Sequence, residues 1–193
     1  AATRFARTGL PTAAAGLPPI GDIFIGTIDL PYYHTAPGTG TPAAPPSVVL
    51  SSFWTAAPGA YVAPFSALGL DPTSTNLTVA NPIPVRRSVQ KVPVLATLPN
   101  AASGRVRPAA GWPVVIFQHG VTRSRCDMLA ISATMAQAGF AVIAIDQPLH
   151  GASPDNTADT CRPFHIGATP FAALGARERT FDVDLINNTT GAF

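Results

Sequence analysis

Two unbroken apolar runs, with an amphipathic stretch between them, dominate the hydrophobic pattern of this chain. Residues 114–117 and 140–145 are rich in β-branched side chains and show no alternation of apolar and polar positions. Because alternation disappears when neither face of a strand meets water, the first run predicts a strand buried on both faces, and the second predicts its partner. Between them, apolar residues from Met128 to Met135 recur at helical spacing, and Gly139 stands where a left-handed helix end is expected.

Strand, helix and strand within about 33 residues form a βαβ unit, so the two strands are expected to be parallel with a right-handed crossover. Ser124 is a candidate N-cap for the helix, and Asp127 favours its positive end. The predicted fold class is therefore α/β.

Further strands are predicted over residues 22–30 and 92–98, while residues 1–20 read as an extended arm without useful periodicity. Short apolar clusters between residues 48 and 62 form either a small lobe or part of a cover over an active site. The pattern divides the chain into residues 1–80, a loop-rich N-terminal extension that contributes the first strand, and residues 81–193, the first part of an α/β core.

Composition narrows the function classes. The chain has 193 residues and is 47% hydrophobic, enough to bury a substantial core, and its 21 Pro and 16 Gly indicate many loops. Its net charge of +2 is small and its cations are scattered, which argues against a nucleic-acid partner. No apolar run approaches the roughly 20 residues needed to cross a bilayer, so a transmembrane protein is not expected. The first residues lack a signal peptide, although a mature secreted start would look the same.

Cys126 and Cys161 follow the two βαβ strands and fall at the same edge of the predicted sheet. A disulfide between them would close a loop of about 35 residues and contribute about 3–4 kcal/mol. Two separate buried thiols are the alternative. A bridge would place the protein in an oxidising compartment: periplasmic, cell-surface or secreted.

The polar residues after the two strands carry the candidate chemistry. The first strand ends in His119-Gly120-Val121, and the second is followed by residues 146–151, Asp-Gln-Pro-Leu-His-Gly. In open α/β sheets, sites lie beyond the carboxyl ends of the strands. A strand that ends in His-Gly before the first βαβ helix resembles the oxyanion loop of the α/β-hydrolase superfamily.

The ordered runs 112–123 and 139–151 narrow the resemblance to bacterial extracellular lipases of the virulence-factor type and to metagenomic polyester hydrolases. Shorter pieces agree with it: residues 26–33, 81–84, 92–95 and 177–184. The resemblance covers most of the chain and is least clear over 35–79. It implies the N-terminal portion of an α/β-hydrolase sheet, mostly parallel with antiparallel first strands, in which the 92–98 strand neighbours the His-Gly strand.

The resemblance also assigns roles in the loop. The Val121 backbone N–H would donate to the oxyanion, Gly120 would shape the turn and His119 would brace it rather than act as the base. Thr122 and Arg123 are candidate substrate contacts. Arg125, like Arg123, either contacts substrate or buttresses the loop, and the sequence does not choose. His150 is expected to hold the loop by hydrogen bonding.

The chain contains no Gly-x-Ser-x-Gly motif. In α/β-hydrolases the order is serine, then acid, then histidine, downstream of the second βαβ strand. We therefore expect the triad on a separate C-terminal segment that completes the core. The implied function is a secreted or cell-envelope bacterial carboxylic-ester hydrolase acting on an ester, lipid or polyester through a serine acyl-enzyme. That chemistry requires no metal or organic cofactor. The alternatives are a catalytically silent module used for binding or assembly, and an acyltransferase.

Overall fold

The fold of this chain is seen in a computed structural model that describes residues 4–36, 38, 46–152, 161–169, 173 and 176–180. The chain divides into two units, residues 1–29 with 91–193, and residues 30–90. The strands are β1 (Arg4–Pro11), β2 (Gly21–Tyr32), β3 (Ser88–Pro99), β4 (Val114–Phe117) and β5 (Ala141–Ile145). The α-helices are α1 (Pro46–Ser51) and α2 (Leu129–Ala138). Short 3-10 helices span Thr12–Ala15, Phe65–Ala67, Ala101–Ser103, Arg125–Met128, Arg162–Phe164 and Ile166–Ala168.

The five described strands form one sheet in the order β1-β2-β3-β5-β4. Strand β4 runs parallel to β5, whereas β1 with β2 and β3 with β5 are antiparallel pairs. The antiparallel first strands agree with expectation, but this part of the sheet is mixed rather than mostly parallel. The strand β1 also corrects the prediction that residues 1–20 form an extended arm: backbone pairing with β2 makes Arg4–Pro11 a strand despite its weak periodicity.

The expected neighbourhood of β3 and β4 is wrong. Leu95 of β3 pairs with Ala144 of β5, and Val115 of β4 pairs with Val142 of β5, so that β5 lies between the two. The crossover through α2 is the physical reason, because it carries the chain past the edge and returns it in parallel on the inner side of β4. For β3 and β4, adjacency in sequence therefore does not become adjacency in the sheet.

The predicted βαβ unit is confirmed as a parallel β4–α2–β5 arrangement. Gly139 ends α2 with a φ of 86°, and its N–H donates to the carbonyls of Ala136 and Met135. A left-handed residue at this place is typical of a helix C-terminus. The start of the helical segment differs from expectation, because the Ser124 side chain makes no capping hydrogen bond. Its backbone carbonyl instead accepts the Asp127 N–H.

Strand β4 is not buried on both faces as its composition predicted. The Val114 side chain is 59% exposed and Ile116 is 83% exposed, whereas Val142 in the neighbouring β5 is fully buried. The difference arises because β4 is the outermost strand of the described sheet and β5 has a partner on each side. An unbroken apolar run thus identified the strand but not its place at the edge.

The core of the first unit joins the sheet to the βαβ helix and the loop after β5. Ile23, Leu95 and Val142 come from the strands, and Met128 and Phe164 come from the segments that pack on them. The predicted disulfide is confirmed: Cys126 and Cys161 are bonded, with their Cα atoms 5.5 Å apart. Both cysteines belong to the same buried cluster.

The second unit, residues 30–90, is built mainly from turns. Besides the ends of β2 and β3, its described regular elements are α1, the Phe65–Ala67 3-10 helix and an isolated antiparallel bridge between Ala56 and Pro84. Asn81 is fully buried and donates its side-chain N–H to the Ala57 carbonyl at 3.0 Å, which ties two turns of this unit together.

Within the described residues, every helix is too short or too polar to cross a membrane.

Candidate active site at the ends of β4 and β5

His119 joins the loop after β4 to the loop after β5. Its side chain is buried, and its Nε2 accepts the Gln147 backbone N–H at 3.0 Å. The Gln147 side chain returns the contact by donating to the His119 carbonyl at 3.1 Å. The His119 Nδ1 lies 2.7 Å from the Gly120 carbonyl, so Nδ1 carries the proton and donates. The hydrogen bonds thus require the neutral ring with Nε2 unprotonated.

His150 makes the reciprocal contact. Its Nε2 accepts the Thr122 backbone N–H at 3.1 Å, and its Nδ1 lies 3.0 Å from the Pro148 carbonyl. The same reasoning gives the same neutral tautomer, protonated at Nδ1. The two rings are neighbours, with centroids 4.9 Å apart. We call His119 and His150 together the histidine clasp, because each ring holds a backbone amide of the loop that carries the other.

Val121 lies in sequence between His119 and Thr122, and it is 81% exposed. Its N–H donates no hydrogen bond within the described part of the chain. The left-handed residue of this loop is Thr122, with a φ of 63°, and not Gly120, which we expected to provide the tight turn. A Cβ at Gly120 would meet only the Arg123 side chain, at 3.9 Å. The unusual backbone conformation is therefore held at the residue whose amide His150 binds.

Arg123, a predicted substrate contact, is turned toward the Arg125–Met128 3-10 helix that follows it. Its guanidinium makes two hydrogen bonds to the Asp127 carboxylate, at 2.8 and 2.7 Å. These hydrogen bonds and the charge of Asp127 raise the pKa of Arg123. The side chain is 64% exposed. Contact of Arg123 or Thr122 with substrate stays a prediction.

Arg125 is buried under the loop and supports it. Of the two roles that the sequence left open, substrate contact or support of the loop, the structure shows the second. Its guanidinium is buried and hydrogen-bonds the carboxylates of Asp146 and Glu178, and also the Phe164 carbonyl at 2.8 Å. The Arg125 backbone N–H donates to Asp146 at 2.6 Å. Burial opposes the charge of this guanidinium, but the two carboxylates outweigh it and raise the pKa of Arg125. We call Arg125, Asp146 and Glu178 the buried ion cluster.

Glu178 links the ion cluster to the segments after β5. Besides two hydrogen bonds from Arg125, at 2.7 and 2.9 Å, it accepts the backbone N–H groups of Ile166 and Ala152 at 2.8 and 3.1 Å. Burial alone would raise the pKa of Glu178, but the charge and hydrogen bonds of Arg125 and these amides lower it below 4.5. A Cβ at Gly151 would lie 2.8 Å from the Glu178 carboxylate, so this approach requires glycine.

The ion cluster was missed by sequence reasoning. Glu178 belonged to a segment that supported the family resemblance, but nothing in its local pattern assigned it a role. Because charged residues are seldom fully buried unless they are paired, composition alone favours an exposed Glu178. In the part of the chain that the structure describes, no group of three His, Cys, Asp or Glu residues is placed to hold a metal ion.

Comparison with known proteins reaches the same region of the chain. Residues 83–159, less than half of the chain, match the family model for platelet-activating factor acetylhydrolase, isoform II, which belongs to the α/β-hydrolase superfamily. No curated protein and no solved structure matches the chain. The matched segment contains β3, β4, α2 and β5 and both residues of the histidine clasp. Over this segment, the chain is similar to a hydrolase family that acts on ester substrates.

Proposed function

We propose that this chain is part of a carboxylic-ester hydrolase that works through a serine acyl-enzyme. In this proposal the Val121 N–H donates to the carbonyl oxygen of a bound ester as that oxygen becomes an alkoxide. A preorganised amide lowers the barrier because it needs no reorganisation as charge develops. A lipid or polyester substrate is the finer form of the proposal, and it rests on sequence resemblance.

The observation that carries the proposal is the amide arrangement of the loop after β4. The neighbouring Thr122 N–H is held by His150, while the Val121 N–H has no partner within the described residues. An amide that is left unbonded on a braced, exposed loop is suited to an incoming oxygen. The family match over residues 83–159 supports the same reaction class.

The serine, acid and histidine are proposed to lie on a further segment that packs beside β4. Val114 and Ile116 support this, because both apolar side chains are largely exposed on the outermost described strand. A strand edge with exposed apolar residues is a template for another strand. A strand added there would place its own carboxyl end beside Val121 if it ran parallel to β4.

We also propose a secreted or cell-envelope location. The bond between Cys126 and Cys161 supports it, because disulfides persist mainly in oxidising compartments.

The first test is hydrolysis of a p-nitrophenyl ester by purified protein, together with intact mass and N-terminal sequencing of every polypeptide that co-purifies. We expect ester hydrolysis that a serine-directed phosphonate blocks, and a phosphonate adduct on a segment containing Gly-x-Ser-x-Gly. Material that hydrolyses no ester and carries no adduct would instead favour a catalytically silent binding module. Ester formation with an added alcohol would indicate an acyltransferase.

The role of Val121 is tested with a matched pair of variants. Val121→Pro removes the N–H, and Val121→Ala retains it while shortening an exposed side chain. We expect Val121→Pro to lower kcat by about 10²–10³-fold, the usual loss for one oxyanion donor. Val121→Ala should stay close to wild type. Equal activity of the two variants would exclude this amide from the reaction.

A further inference from the structure

The histidine clasp contains a titratable group at a position where only its neutral form fits. The Thr122 N–H needs an acceptor, and the His150 Nε2 supplies one only while it carries no proton. The His150 Nδ1 is already committed as donor to the Pro148 carbonyl. A proton added to His150 must therefore go to Nε2 and remove the acceptor.

We propose that His150 is a pH-sensitive positioning residue that holds the oxyanion loop only while its imidazole is neutral. Protonation from solvent places an N–H on Nε2, opposite the Thr122 N–H at 3.1 Å, so two donors face each other. The contact then breaks. Thr122 loses the partner that holds it at a φ of 63°, and the preceding Val121 amide is no longer oriented.

His119, the other clasp residue, differs in what it can do when protonated. Its Nε2 lies 3.8 Å from the Asp146 carboxylate, which offers a charged partner near the ring. Its ring is also buried. His150 is more accessible, with a contact to Thr122 near the surface. Loss of the Nε2 lone pair therefore differs between the two rings: a protonated His119 would face the Asp146 carboxylate, whereas a protonated His150 would face the Thr122 N–H.

Among the described residues, the titratable and charged groups around the histidine clasp have partners of their own. They are His119 at 4.9 Å between ring centroids, Arg123 with Asp127 in the loop after β4, Asp146 with Arg125 and Glu178 beneath, and Arg179, whose side chain bonds the Asp146 carbonyl and whose own carbonyl accepts the Leu149 N–H. None of the contacts made by these groups replaces Nε2 as the acceptor for Thr122.

The variant series is chosen to separate the lone pair from the titration. In His150→Gln, the side-chain oxygen can occupy the place of Nε2 and accept the Thr122 N–H, but it does not titrate. His150→Phe keeps a ring and removes the acceptor. His119→Gln is the matched control, because it removes titration of the neighbouring ring and keeps His150.

The direct readout is the amide resonance of Thr122, followed with the His150 ring resonances as pH is lowered. In wild-type protein and in His119→Gln, we expect the Thr122 resonance to shift with the midpoint of the His150 ring. In His150→Gln it should stay near its neutral-pH position, and in His150→Phe it should be displaced at every pH. A Thr122 resonance that ignores the His150 titration, or still follows pH in His150→Gln, overturns the proposal.

The consequence for catalysis rests on the proposed ester hydrolysis and is measured separately. The acid side of the pH profile of kcat should depend on one fewer titrating group in His150→Gln, while KM changes little. His150→Phe should have a kcat at least about tenfold lower than His150→Gln at neutral pH. If the Thr122 resonance titrates as expected but no ester is hydrolysed, the positioning role of His150 is supported and the proposed function fails. If esters are hydrolysed but the resonance is silent, the clasp fails alone.

Discussion

The two sides of the loop between residues 121 and 128 are close in sequence and opposite in environment. On the outer side, Val121 is 81% exposed and the Arg123 side chain is 64% exposed. On the inner side, Arg125 and Met128 are buried. Arg123 and Arg125 are the same residue type two positions apart, yet one forms a solvated pair with Asp127 and the other forms the buried ion cluster. The difference shows that the environment of a charged side chain here, solvated or buried, depends on which side of the loop carries it.

The largest expected effect separates the two arginines. Arg125→Met leaves the carboxylates of Asp146 and Glu178 buried without a countercharge, and we expect a loss of about 3–5 kcal/mol in the free energy of unfolding. Arg123→Met should change stability little, because exposed ion pairs are screened by water. Urea unfolding of both variants measures the difference. Comparable losses would mean that the buried pairing contributes no more than the exposed one.

The next effect concerns the disulfide, which begins at the buried Cys126 on the inner side of the loop. Replacing both Cys126 and Cys161 with alanine opens a loop with a sequence separation of 35. The expected loss is about 3–4 kcal/mol if the bridge acts by restricting the unfolded chain. Ser124→Ala is the matched control, because the Ser124 side chain makes no capping hydrogen bond and its removal should be nearly neutral. Thermal unfolding with and without reductant provides the measurement.

A smaller difference is expected between apolar residues on the two sides. Met128 is fully buried in the core, so Met128→Ala should cost about 2–4 kcal/mol through lost burial and a residual cavity. Val121→Ala removes exposed atoms and should leave the denaturation midpoint unchanged. A large loss for Val121→Ala would show that another segment covers its side chain.

The smallest expected effect is on the pH dependence of stability in the acidic range. The pKa of Glu178 is lower in the folded chain than its ordinary value of 4.5, so the unfolded chain binds more protons as pH falls. The stability from Glu178 is therefore fully present above pH 4.5 and is lost as pH falls through the lower folded pKa. Glu178→Gln should reduce the slope of stability against pH in that acidic window. Asp127→Asn, on the outer side, is the comparison variant. An unchanged slope in Glu178→Gln would assign the acid sensitivity to other carboxylates.

Several features of the fold were predictable because they depend on local pattern. The strand over Val114–Phe117, the helix end at Gly139 and the parallel βαβ unit follow from short-range periodicity and from the backbone freedom of glycine. The disulfide was predictable because the two cysteines follow strands whose ends meet at one edge of the sheet. The strand Arg4–Pro11 was not, since its partner β2, rather than its own pattern, makes it a strand.

The sequence by itself determined the elements of the βαβ unit, the position of the loop after His119 and the low charge of the chain. Only the tertiary structure decided that β5 lies between β3 and β4, that Arg125 is buried, and that Glu178, 53 positions later, is its partner. It also decided that Thr122, rather than Gly120, takes the left-handed conformation. The physical reason is range: helix ends and strand runs reflect neighbours within a few residues, whereas burial of a charge depends on groups that the fold brings from far along the chain.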